Sequence, residues 1–548
     1  MKAGWAAQNA GHRSSVHLLM MPRARRSLVF VAGALILAPL PALAQTVHIC
    51  AIQGSGFIPP MLGTRVSASG VVTADFQARL GGFFMQEPGC DGDATTSDGI
   101  FVSTGSRPSA VTVGNRVTVT GRVTNDLGLT ALEMESLSDN GPYAGSLEAV
   151  RLSPPADAAA AAIYFEAYEG MLVSLPPSRV VAATDHLGDS YVMPDSSGVT
   201  RLYRGDADGR KLGLAAPASW LMLSQGDLVS DAAGVLAEVS GQYKLYVPPT
   251  RSLTVERSGL RPPDSAALSS STLSVATYDL QGLFDAVDDP GKDDEVPTPE
   301  QYAAGLARRA ASIARYLGLP DVIGVQEAEK IEVLQDLSAQ PALLPASYRA
   351  VLVEGSDPRG LDVGVLYNSQ RLWLRSSEAR PGPMFTRPPL VVRLEALDNH
   401  ERLTVIVNHF QSLTSDPAAD EQVRIAQADA VRALTDEIKA AEPDVPVIVL
   451  GNLNAFEDSA PLQHLTAGGR LVQAMTLAAG ERTYTYASQG LCEIVDHILV
   501  DAALAPRVVQ LRPQHINVDF GDAGPGGSPE ASPRASDHDP VRLLLARR

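Results

Sequence analysis

Residues Glu421–Asn454 read EQVRIAQADAVRALTDEIKAAEPDVPVIVLGNLN. Over Glu421–Ala441, residues such as Val431, Leu434 and Ile438 recur at helical spacing. Val445–Leu450 is then an apolar run of strand length, and it ends on Gly451-Asn452-Leu453-Asn454. A helix feeding a buried strand is the repeating unit of an α/β sheet. The same grammar recurs on both sides of it. Tyr302–Leu317 has helical spacing, and further strand-like runs meet polar groups at one end. Leu273–Tyr278 leads to Asp279, Val322–Val325 to Gln326-Glu327, and Leu403–Val407 to Asn408-His409. Asp496-His497 precedes Ile498–Val500, and Asp537-His538-Asp539-Pro540 precedes Val541–Leu545. An α/β domain is therefore expected over 272–548.

Ligands bind at strand ends in such sheets. One carboxylate there is ordinarily a cap or turn residue. Asp279, Glu327, Asp496 and Asp537 gathered in one cleft would repel one another unless a cation or an imidazole partner stood among them. Oxygen donors select a hard ion, Mg²⁺ or alternatively Mn²⁺ or Ca²⁺. No Cys/His spacing resembles a zinc site. His400, His464 and His515 have no such context and are expected at the surface. The acidic stretch Asp288–Glu295 reads as a solvated loop, with calcium binding as the alternative.

The N-terminal half has another texture. Val66–Thr73, Gly82–Gln86, Ile100–Val102 and Val117–Val123 are short β-rich runs between Gly, Asp, Ser and Pro clusters. They suggest a small barrel of the OB-fold type over 45–150. Gly114, Gly121 and Gly128 recur with similar flanking residues as Gly226, Gly234 and Gly241, so a second β module is expected over 151–257. Residues 258–271 are rich in Pro, Ser and Ala and read as a linker. Phe83, Phe84 and Phe101 fit either a barrel core or a stacking platform for single-stranded nucleic acid.

The chain has 548 residues, of which 45% are hydrophobic and 19% charged. That balance excludes a disordered chain and a multispanning membrane protein. Residues 1–44 read as a signal peptide: Arg23, Arg25 and Arg26, the apolar run Ser27–Leu40, then Ala42-Leu43-Ala44. The run is too short for a membrane span. Export to the periplasm or medium is expected, with Cys50–Cys90 as a disulfide and Cys492 as a buried thiol. The formal net charge of −18 lends no support to polyanion binding.

With these residues in hand, the sequence resembles the endonuclease/exonuclease/phosphatase superfamily, in its branch of large secreted bacterial nucleases with N-terminal OB-fold modules. The resemblance rests on VATYDLQGLF (Val275–Phe284), DVIGVQEAE (Asp321–Glu329), RGLDVGVLY (Arg359–Tyr367), VNHFQS (Val407–Ser412), VLGNLNA (Val449–Ala455), DHIL (Asp496–Leu499) and SDHDPV (Ser536–Val541). GIFVS (Gly99–Ser103) and YEGMLV (Tyr168–Val173) extend it into the N-terminal half. It implies a four-layered α/β sandwich that hydrolyses phosphate esters with a divalent metal. Glu327 is implied as the main metal ligand, with Asp537 nearby, and Asp279 is expected to join them as a further carboxylate. His538 oriented by Asp496, His409, Asn452 and Asn454 are implied as catalytic. Arg359, Arg387, Arg534 and His497 are expected to contact substrate.

Two positions depart from the family pattern. Asp279 stands where the family carries Asn, and Asn452 where it carries the Asp that orients or deprotonates water. The changes are opposite in sense and nearly isosteric, so a compensated exchange is expected, with a disabled site as the rival. The functional expectation is a secreted nuclease with nucleic acid as substrate and no protein partner. The alternatives are a phosphomonoesterase or phospholipid phosphodiesterase, and a catalytically weakened nucleic-acid binder.

Overall fold

The computed structural model describes residues 45–548 except 107, 216–220, 264–268, 270, 478–481, 525 and 548. The expected signal peptide lies outside the described residues, as does part of the expected linker.

Thr272–Leu283 is the central strand of the C-terminal half. It pairs in parallel with Val322–Ala328 and antiparallel with the last strand, Val541–Ala546. These three belong to a six-stranded sheet that also holds Asp362–Asn368. A second six-stranded sheet is built around Arg402–His409, Val447–Asn452 and Asp496–Asp501. Successive side chains of a strand point to opposite faces, and the sequence uses both. Along Val447–Leu450, Ile448 and Leu450 pack between the two sheets, against Val275, Val322 and Val541. Val447 and Val449 pack outward against Val431, Leu434 and Ile438. Those three lie on the helix Pro417–Ala441, which begins one turn before the expected start at Glu421. On the other sheet, Ala276, Tyr278 and Val325 meet Leu306, Ala310 and Ile313 from the helical stretch Pro299–Leu317. Thr298 caps that stretch in a reciprocal capping box with Gln301, and Pro299 opens it. The result is helix, sheet, sheet, helix: the four layers expected.

In the N-terminal half, Arg65–Asp75, Gly82–Gln86, Gly99–Ser103, Leu129–Pro142 and Asn115–Asp126 pair in that order, and Asn115–Asp126 closes back onto Arg65–Asp75. A nine-stranded sheet follows, from Val150–Arg151 to Thr254–Glu256. The repeated glycines take matching places in the two. Gly121 and Gly234 each lie on the first strand of a hairpin, so close to the opposite strand that an added Cβ would meet a carbonyl oxygen at 2.4 Å (Glu133) and 2.2 Å (Tyr246).

Phe83 is sealed in the ring's interior. Phe84 and Phe101 pack with Val235 and Tyr246 of the nine-stranded sheet. None of the three is an exposed platform: the core reading holds, because both faces of the Gly82–Gln86 strand are covered. Cys50 and Cys90 are disulfide-bonded, and Cys492 is free and buried. Lys330 Nζ sits 3.0 Å from Asp285 Oδ2 and 3.0 Å from Asp289 Oδ2, so a lysine already neutralises one end of the acidic Asp288–Glu295 stretch. No helix among the described residues is long and apolar enough to cross a membrane.

Candidate active site

Strand pairing alone brings distant residues to one edge. Asp279 pairs with Gln326, His409 with Asn452, and Asn452 with Asp496. The registers of Thr272–Leu283 and Val322–Ala328 slip at this edge, between Asp279 and Leu283 and between Val325 and Ala328. Such bulges re-aim side chains. Gln281 and Glu327 take positive φ of 52° and 60° within the slips, and Asn454 follows at 45°. Strained backbone of this kind collects at functional sites.

The slips turn Glu327 toward Asp279 and His409. One potential ligand atom from each of these three lies within 4.8 Å of the others. Gly282 N–H donates to Glu327 Oε2 at 2.8 Å. Burial, with Asp279 and Asp537 nearby, pushes the Glu327 carboxyl up to about 8. Burial also raises the Asp279 carboxyl. His409 is held well below the usual imidazole range by burial and by Arg387. It therefore remains a neutral donor, and its Nδ1 is buried without a hydrogen-bond partner. Two crowded carboxylates and an unpartnered neutral imidazole fit a divalent cation that takes oxygen and nitrogen donors together. Asp537, expected among the metal ligands, is outside this trio: its Oδ1 lies 4.0 Å from His538 Nε2. His409, expected to touch phosphate, also offers a ligand atom to this trio.

Asn452 Nδ2 donates to Asp279 Oδ2 at 2.9 Å, and Asn452 Oδ1 accepts from Asn454 N–H at 2.9 Å. The two exchanged positions are therefore in direct contact. Asn454 spends one amide hydrogen on the Phe410 carbonyl at 3.1 Å, leaving the other.

His538 Nδ1 and Asp496 Oδ2 are 2.8 Å apart. Burial opposes the charged imidazolium, but Asp496, Asp279 and Asp537 hold it well above its ordinary value. Tyr486 stacks on the His538 ring, centroids 4.6 Å apart.

The other expected substrate contacts divide. Arg359 borders a cleft of about 740 Å³ together with Glu327, Asp537 and Gln281. Arg534 lines the same cleft but is buried, and its Nη1 donates to the Thr184 and Phe520 carbonyls at 3.3 Å. Arg387 is buried and donates to the Phe410 carbonyl at 3.3 Å. It bears on the site through the potential it sets at His409. His497 is not placed to touch substrate. It neighbours Asp496 on a strand, so it faces the opposite side. There it is fully buried, with Nε2 2.8 Å from the Ala455 carbonyl oxygen, and burial lowers it to about 4.

Sequence reasoning missed several supports. Asn517 Oδ1 accepts the Ala535 N–H at 2.8 Å, and its Nδ2 donates to the His538 carbonyl, fixing the loop that carries Asp537 and His538. Ser536 Oγ ties that loop to the Asp279 carbonyl at 2.7 Å. No motif flags Asn517. His515 is not a free surface residue: it bonds Asp539 Oδ2 at 2.8 Å and stacks on Tyr484.

Residues 274–512 match the model of the Endonuclease/Exonuclease/phosphatase family. The chain is also similar to solved structures. The human Nocturnin catalytic domain with bound sulfate is 16% identical, covering 52% of this chain and 98% of that one, at a TM-score of 0.36. TDP2 from D. rerio complexed with a single-strand DNA product is 20% identical over 50% and 100%, at 0.35. A mannosyl-6-phosphatase of Bacteroides thetaiotaomicron is 17% identical over 50% and 99%, at 0.36. No curated protein matches the chain.

Proposed function

We propose that the protein is a secreted, metal-dependent phosphodiesterase that hydrolyses extracellular DNA or RNA. One observation carries the phosphoryl chemistry: the Asp279, Glu327 and His409 donor trio and the His538–Asp496 pair lie close enough for Asp279 and His538 to feel each other's charge, and Glu327 opens onto the cleft. Glu327, Asp279 and His409 would hold Mg²⁺, with Mn²⁺ or Ca²⁺ as alternatives. Such an ion, when bound, polarises a phosphoryl oxygen and offsets developing charge. The chain's own residues do the rest. Asp496 fixes the tautomer and orientation of His538 and favours its charged form, so that Nε2 carries positive charge toward the cleft. Asn454 offers its remaining amide hydrogen to a phosphate oxygen. Arg359 supplies positive charge at the rim of an otherwise acidic molecule. The closed strand ring and its glycine repeat support reading 45–150 and 151–257 as OB-fold-like modules, with the catalytic domain over 272–548. The Cys50–Cys90 disulfide supports an oxidising compartment.

Purified protein incubated with plasmid and with single-stranded DNA or RNA, in Mg²⁺ and in chelator, tests the reading. Degradation that chelator abolishes is expected. Glu327→Gln should slow it by roughly 100-fold or more. Retarded but intact nucleic acid would point to a binder. Turnover of a small phosphate ester without polymer cleavage would point to a phosphatase.

A further inference from the structure

Glu166 ends the helix Ala158–Glu166, Glu169 follows it, and Glu238 lies near the end of the Ala233–Val239 strand. One carboxylate oxygen from each lies within 4.8 Å of the others. Glu169 is completely buried. Its Oε2 accepts the Thr130 N–H at 3.0 Å, while its Oε1 is buried without a hydrogen-bond partner. Glu166 Oε2 accepts from the Tyr243 hydroxyl at 2.7 Å. Among the described residues, no lysine, arginine or histidine forms an ion pair with any of the three.

That is unlike the protein's habit elsewhere. Buried Asp189 meets Arg79 and Lys244, Asp321 meets Arg371, and Asp501 meets Lys439. Burying charge without a counter-charge is costly. The Asp279 and Glu327 carboxylates also crowd together, and there the arrangement fits a metal.

We propose that Glu166, Glu169 and Glu238 form a second cation site, distinct from the catalytic one, that takes a calcium-sized divalent ion. Oxygen-only donors select a hard cation. Carboxylates that bind through one or both oxygens suit the irregular shell of calcium better than the strict octahedron of magnesium. Glu238 is partly exposed, which opens the site to entering ions and to water ligands. The position gives the ion a task. Thr130 and Gly128 belong to the first ring. Gly128 lies so close to Glu238 that an added Cβ would sit 2.5 Å from its carboxylate; Glu238 is on the nine-stranded sheet, and Glu166 and Glu169 are on the helix and turn between two of its strands, Val150–Arg151 and Leu172–Ser174. A cation here clamps one β module to the other.

Glu327→Gln in the full chain weakens the catalytic trio, and the further substitutions below separate any cation response it retains from that of the second site. After chelation, calcium chloride should raise its unfolding midpoint by several degrees. Terbium, replacing calcium, should luminesce on tyrosine excitation through Tyr243. Adding Glu238→Gln should abolish both responses or weaken the apparent affinity at least tenfold. If that protein does not fold, Glu166→Gln in the same background serves, with the same loss expected. A calcium response unchanged by either substitution overturns the proposal. So does the absence of any response in Glu327→Gln, which would leave the three carboxyls sharing protons instead.

Discussion

At the scale of single residues, the 2.9 Å hydrogen bond between Asn452 and Asp279 is the most consequential contact in the site. Asn452 donates and Asp279 accepts, so exchanging the two residues would keep one carboxylate and one amide donor in contact. Asn452→Asp alone would face two carboxylates across this distance and raise the affinity of the pair for a proton. Asp279→Asn alone would remove the only carboxylate of the pair. We expect each single change to lower phosphodiester hydrolysis at least tenfold. The double change should restore much of it, with a coupling of about 0.5–3 kcal/mol in a double-mutant cycle. If Asn452→Asp alone speeds the reaction and Asp279→Asn does nothing, the exchange is not compensated. The two positions were legible in the sequence because they sit in ordered motifs. Their contact, and the entry of His409 into the donor trio, were not. A motif fixes which residues reach the edge, whereas the bulges at Asp279–Leu283 and Val325–Ala328 decide where the side chains point.

At the scale of elements, the site depends on how closely the Val447–Asn452 strand approaches its neighbour. Gly451, at φ 140°, pairs with Asn408, and an added Cβ would lie 1.9 Å from the Asn408 carbonyl oxygen. No side chain can be fitted there without moving a strand that carries His409 or Asn452. Gly451→Ala should therefore cost at least about 2 kcal/mol in denaturant unfolding and depress hydrolysis in the fraction still folded. A wild-type midpoint would show that the strands separate at little cost. The elements themselves were largely readable. Val431, Leu434 and Ile438 define a helix face, and Val447–Leu450 alternates between two cores. Helix ends were less so, because Pro299 and Pro417 extend the first turn beyond the apolar pattern.

At the scale of the whole molecule, the first β ring is stapled by Cys50–Cys90, which closes a separation of 40 residues. Loop-closure entropy assigns such a bridge about 4 kcal/mol. Reduction should thus lower the first unfolding transition in calorimetry, while buried Cys492 resists alkylation in the native state. An identical thermogram with and without reductant would contradict this. The packing of one half on the other was invisible in the sequence, since its residues carry no motif. Arg201 of the nine-stranded sheet's segment reaches Asp519 at 2.8 Å and lies over the Tyr484 ring, which stacks on His515, itself bonded to Asp539.

That relay ends one residue from His538. Cutting the chain near residue 271 to obtain a minimal enzyme would therefore strip Asp519 of its counter-ion and bare the underside of the very loop that presents the imidazole. On this geometry the N-terminal half is expected to act as scaffolding for the loop that carries His538, not as a detachable accessory.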